Sequence, residues 1–127
     1  MISKAVYNIL STNAGVTALL GTKIYPVKTP QAVQAPFAVY LCTTEPVDTK
    51  DGVATQEVVD CQITIFSGGY ESAQSIKAAI RTALDRVSGT YKSNKIQTII
   101  FVDDRDGLDE KSELFKVDML FSIRLNK

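Results

Sequence analysis

The chain has 127 residues, 45% of them hydrophobic and 22% charged, enough for one domain over residues 1–127 with a core of its own. Fourteen Lys and Arg balance fourteen Asp and Glu, which excludes an overall basic footprint for nucleic acid or anionic lipid. Histidine is absent, so His-based acid–base catalysis, Ser-His-Asp and Cys-His nucleophiles and histidine metal sites are excluded.

The first segment reads as a helix, with Ile2, Val6, Ile9 and Leu10 at spacings of three and four. Asn13 is placed to cap a second short helix, whose apolar side is Val16, Leu19 and Leu20 and whose stop is Gly21. Ile24-Tyr25-Pro26 is a short extended piece, because Pro26 biases Tyr25 away from helix. A loop over residues 27–35 follows, closed by Pro36. Phe37 to Cys42 is an apolar run of strand length. Val58 to Phe66 alternates, with Val59, Cys61, Ile63 and Ile65 on its apolar face.

Asp51-Gly52 between these strands is a hairpin signal. Pairing symmetric about it opposes Cys42 to Cys61, Tyr40 to Ile63 and Ala38 to Ile65, all on the apolar face, so the register is self-consistent. Residues 43–56 would then project as a polar arm. The two cysteines lack CxxC spacing, and opposed strand positions hold Cβ atoms at about 4.5–5.5 Å, wider than a disulfide needs. Free thiols are expected.

Gly68-Gly69 ends the second strand and a helix is predicted over about Tyr70 to Val87, with Tyr70, Ala73, Ile76, Ile80, Ala83, Leu84 and Val87 on one face and Ser88-Gly89 as its stop. Lys95 to Val102 and Leu114 to Leu125 are the last strands, joined by residues 103–113 around Asp106-Gly107. The order helix, helix, strand, strand, helix, strand, strand predicts an α+β fold in two layers. It consists of an antiparallel sheet of about four strands with helices packed on one face.

No apolar run approaches the roughly 20 residues that span a bilayer, so no membrane partner is expected. The opening residues lack a signal-peptide pattern, so a protein made and kept in a cytoplasm, or released by lysis, is expected. Three constellations bear on function. An EF-hand reading of the acidic run puts Asp104, Asp106 and Glu113 at ligand positions but Val102 at the first, where it cannot ligate. Gly68-Gly69 lacks the rest of any phosphate-loop motif. The third is charge placement. Residues 43–57 carry Glu45, Asp48, Asp51 and Glu57 against Lys50. Residues 103–113 carry Asp103, Asp104, Asp106, Asp109, Glu110 and Glu113 against Arg105 and Lys111. Residues 72–95 carry Lys77, Arg81, Arg86, Lys92 and Lys95 against Asp85. This is either a solvated surface or a polar head-to-tail contact between subunits, in which one subunit's acidic loop meets the next subunit's basic helix. The candidate interface residues are Glu45, Asp48, Lys50, Asp51, Arg81, Arg86, Asp103, Asp104, Asp106, Asp109 and Glu110.

The run Val16-Thr17-Ala18-Leu19-Leu20-Gly21, then Lys23-Ile24-Tyr25-Pro26, Pro30-Gln31 and Pro36-Phe37-Ala38-Val39-Tyr40 resembles the tail completion, or tail terminator, proteins of long-tailed bacteriophages and prophages. The likeness extends in order and length over nearly the whole chain. It implies a structural protein without enzymatic activity or cofactor, found in the virion at the head–tail junction after assembly in the host cytoplasm. The implied form is a homo-hexameric ring that caps the tail tube protein and meets a head connector or stopper protein. DNA would pass through its lumen without specific binding. The alternatives are a head-side connector or completion adaptor, and a small metal- or ligand-binding module using the acidic loop.

Overall fold

A computed structural model describes residues 2–21, 23–26, 35–46, 56–91, 94–109 and 113–126. Among these, three helices back one six-stranded sheet. Helix α1 (Ile2–Thr12) buries Ala5, Val6, Ile9 and Leu10. At its end the Thr12 hydroxyl donates to the Asn8 carbonyl at 2.6 Å. Helix α2 (Ala14–Leu20) starts where the Asn13 side chain accepts from the Val16 N–H at 3.1 Å. It stops at Gly21, whose φ of 61° suits a residue without Cβ. Both ends are those expected from the sequence.

Ile24–Pro26 forms strand β1, which pairs parallel with β2 (Phe37–Pro46). Strand β2 pairs antiparallel with β3 (Gln56–Ser67), placing Cys42 opposite Cys61, Tyr40 opposite Ile63 and Ala38 opposite Ile65. That is the register the hairpin signal predicts. The proposed arm is strand at both roots, up to Pro46 and from Gln56. Its outer part, with Asp48, Lys50, Asp51 and the turn, lies outside the described residues, as does most of the predicted 27–35 loop.

Helix α3 (Tyr70–Leu84) turns Ala73, Ile76, Ile80, Ala83 and Leu84 to the sheet. It ends three residues earlier than predicted. Arg86 takes a positive φ of 62° and its N–H donates to the Ile99 carbonyl at 2.7 Å, so this backbone joins the sheet instead of a further turn. Val87 still packs against the core, which explains its apparent helical phase.

The sheet has six strands and not four, in the order β1-β2-β3-β6-β5-β4, where β4 is Gly89–Tyr91, β5 is Asn94–Asp109 and β6 is Leu114–Asn126. Nor is it wholly antiparallel, given the β1–β2 pair. The largest correction concerns residues 103–109. They continue β5 against β6, with Asp106 opposite Val117 and Asp109 opposite Leu114, and do not form a connecting loop. Register shifts at Ile96/Thr98 and Phe101/Asp103 mark two bulges.

The core lies between helices and sheet. Ile63, Ile65, Met119, Phe121 and Ile123 are at most 1% exposed. Replacing Phe121 with Ala removes a buried ring from this layer. The expected loss is about 3–5 kcal/mol in urea unfolding, against about 0.5–1.5 kcal/mol for Ile63→Val. Equal losses for the two variants would contradict the packing described.

Candidate interface

Three groups of functional interest lie within one chain. The first is the acidic half of β5. Past the second bulge the strand alternates, so Asp104 and Asp106 face the helix layer while Asp103 and Arg105 face the open side of the sheet. Lys77 of α3 reaches both inner carboxylates, at 3.7 Å from Asp104 and 3.6 Å from Asp106. The Gln74 amide donates to Asp106 at 3.2 Å. The acidic run and the basic helix thus meet inside the subunit. On the open side, Asp103 and Arg105 border a shallow hollow with Gln62, Asp118 and Leu120. There the Thr64 hydroxyl donates to Asp118 at 2.8 Å and Lys116 lies 3.8 Å from the same carboxylate.

The second group is the end of α3. The Arg81 guanidinium lies 4.2 Å from the centroid of the Phe101 ring, which meets Phe121 edge-on. Asp85, after the helix, accepts the Phe101 N–H at 3.3 Å, satisfying a backbone donor on the outer edge of β5. Arg86 is exposed. Of the other candidates, Asp109 ends β5 and is half-buried. Glu45 sits in β2 opposite Val58. Asp48, Lys50, Asp51 and Glu110 lie outside the described residues. The sequence reading missed Lys77 as the partner of Asp104 and Asp106. It also missed an apolar groove of about 460 Å³ between α3 and the far end of β5, lined by Tyr70, Ala73, Leu108 and Phe115. A strand reading of residues 103–109 would have put Leu108 on the helix side and exposed both.

The third group is the cysteine pair. Both thiols are free, with sulfurs 3.5 Å apart. The hydrogen bond with Cys42, together with burial, pushes the Cys61 thiol well above its ordinary value; the bond from Cys61 holds Cys42 below it. Among the described residues no three Cys, Asp or Glu side chains converge to hold a metal ion. No described helix is long and apolar enough to cross a membrane.

The charges are thus spread along a sheet edge and over two faces, beside an apolar groove. Residues 4–126 match the family model described as tail completion protein gp17, and the chain belongs to this family of structural tail proteins. A chain of the solved virion of a native gene transfer agent particle has a similar fold, with a TM-score of 0.82 and 22% identity over 97% of this chain and 92% of that one. Comparison with curated proteins gives no match.

Two outcomes are expected. Lys77→Met should cost under about 1 kcal/mol in urea unfolding, with the difference shrinking at high salt, because the ion pairs remain open to water. A salt-independent loss would show that Lys77 acts through packing. With iodoacetamide at mildly alkaline pH, peptide mapping should find Cys42 alkylated well before Cys61. The lowered thiol of Cys42 has its reactive thiolate at lower pH, and Cys61 is both buried and shifted up. Equal rates would contradict the shared hydrogen bond.

Proposed function

We propose that the chain forms a homo-hexameric ring on the last ring of the tail tube protein, ends tube growth there and presents the surface to which a filled head attaches. The family match over residues 4–126 carries this reading. The likeness of its fold to a chain of a phage-like virion supports it. The partners are then further copies of the chain, the tail tube protein and a head connector or stopper protein. DNA passes through the opening without specific binding, and the ring sits at the head–tail junction after assembly in the host cytoplasm. Acidic residues facing such an opening would repel phosphates and let DNA slide.

The contact residues proposed are Glu45 on β2, Arg81 and Arg86 at the end of α3, Asp103, Asp104, Asp106 and Asp109 on β5, and, outside the described residues, Asp48, Lys50, Asp51 and Glu110. Asp104 and Asp106 already have Lys77 as a partner, so Asp103, on the open face, is the carboxylate of β5 best placed to meet another molecule.

Disrupting the gene in the phage or prophage that carries it, with negative-stain microscopy of the lysate, tests the reading. Over-long tails beside separate filled heads are expected. Tails of normal length left unattached would move the protein to the head side of the junction. Normal particles would overturn an assembly role.

A further inference from the structure

The two edges of the sheet are uncovered in complementary places. On one edge, β1 covers β2 only at Ala38–Tyr40. On the other, β4 covers β5 only at Asn94–Ile96, and the Asp85–Arg86 turn bonds Ile99 and Phe101. Past Phe101, no described strand pairs with the outer edge of β5, so residues 102–108 offer an open ladder.

The pairing registers place these features at defined heights. Tyr25 of β1 aligns through Val39, Thr64 and Asp118 with Arg105 of β5. The short strand on one edge therefore lies level with the middle of the open stretch on the other. The strand that covers β5, β4, lies at the opposite end and does not obstruct it. Directions agree as well. Strand β1 runs parallel to β2, and β2 is related to β5 through three successive antiparallel pairings, so β1 and β5 are antiparallel. A rotation that carries one copy to the next in a head-to-tail assembly preserves this relation.

Backbone polarity supports the same contact. The Lys23 carbonyl accepts from Ala38, so alternation along β1 turns the N–H and C=O of Ile24 away from β2, to the free side. Pro26, two residues on, has no N–H and offers only its carbonyl on that side, so β1 brings three backbone groups to the contact, the Ile24 N–H and C=O and the Pro26 C=O. Charge adds a second, independent argument. Residues 1–44 contain no Asp or Glu and carry Lys4, Lys23 and Lys28, whereas residues 103–113 hold six carboxylates against two cations. The β1 edge belongs wholly to the first part and the open edge of β5 to the second.

We propose that the open stretch of β5, residues 102–108, is the seat of the β1 edge of a second copy of this chain, in antiparallel register with Tyr25 opposite Arg105. The contact extends the sheet from subunit to subunit, and its basic and acidic sides set which edge meets which. It rests on the ring proposed above and names the surfaces that close it. Because the two surfaces differ, the contact is head-to-tail: each copy offers one of each, and the chain of contacts continues until it closes.

The test is disulfide capture in assembled particles. Tyr25 and Arg105 lie on the same, open face, so a Tyr25→Cys/Arg105→Cys chain supplied to the disrupted phage should give, on oxidation with a small disulfide, a ladder of covalent oligomers beyond the dimer. Each single variant controls for Cys42 and Cys61 and should give none beyond the dimer. Pro26→Cys with Asp104→Cys, two exposed positions one residue along, is the second pair if the first variant fails to assemble. Particles with normal tails and no ladder from either pair would overturn this contact and leave the capping role intact. Normal particles from the disrupted phage alone would overturn the capping role first.

Discussion

The pairing of β3 with β6 is the constraint on which the rest of the molecule depends. It is the central pair of the sheet, runs from Gln56/Asn126 to Ser67/Phe115 without a break, and turns Val59, Cys61, Ile63 and Ile65 to the same side as Val117, Met119, Phe121 and Ile123. A strand with period-two burial has one register that keeps its apolar set inside, and a slip by one residue would expose every one of these side chains. With the pair fixed, β2 and β5 have only one surface each on which to add, and α3 covers the apolar face the pair creates. Charged residues are thereby driven to the open face and the edges of the sheet.

Most of the sheet was legible in the sequence, β6 and the first part of β5 included; β4 and the last seven residues of β5 were not. The β2–β3 hairpin has alternating apolar residues and a turn signal that agree on one register, and each of the opposed pairs read from them is present. The register of β5 changes twice. Ile96 faces inward, then a bulge brings Ile99 and Phe101 inward, then a second bulge brings Asp104 and Asp106 to the helix side. No single period describes such a strand, and its last seven residues hold four aspartates and a glycine, residues depleted in strands. They form strand because β6 provides a ladder for them and Lys77 offsets two of the carboxylates. Tertiary context overrides local preference here, and that context is invisible in a window of ten residues.

The same reasoning accounts for the candidate contact residues. Local charge counts pick out the acidic run but cannot tell which acids are paired inside the subunit. The alternation of β5 decides that: Asp104 and Asp106 are held by Lys77 and Gln74, while Asp103 and Arg105 are turned to the other face. Arg81, likewise, is committed to the Phe101 ring, which leaves Arg86 as the freer cation at the end of α3. Strand β1 was read as an extended piece from Ile24-Tyr25-Pro26, whereas the three residues of β4 carry too little pattern to predict. Only the assembled sheet shows that they cover opposite ends of its two edges.

An open strand edge is a hazard for any protein in solution, and charge is the usual defence. The edge of β5 fits that rule, since aspartates flank its open stretch and would repel a second acidic edge. The defence is selective. The N-terminal part of the chain has no carboxylate before Glu45, so in the proposed contact the aspartates would attract its edge. A charge pattern that blocks like edges and admits unlike ones would disfavour two copies pairing edge to edge about a two-fold axis, which would end growth at a dimer. It favours the head-to-tail contact that a cyclic assembly requires. The aspartates that weaken the local case for a strand at residues 103–109 would, in the proposed contact, be what sets the symmetry of the assembly.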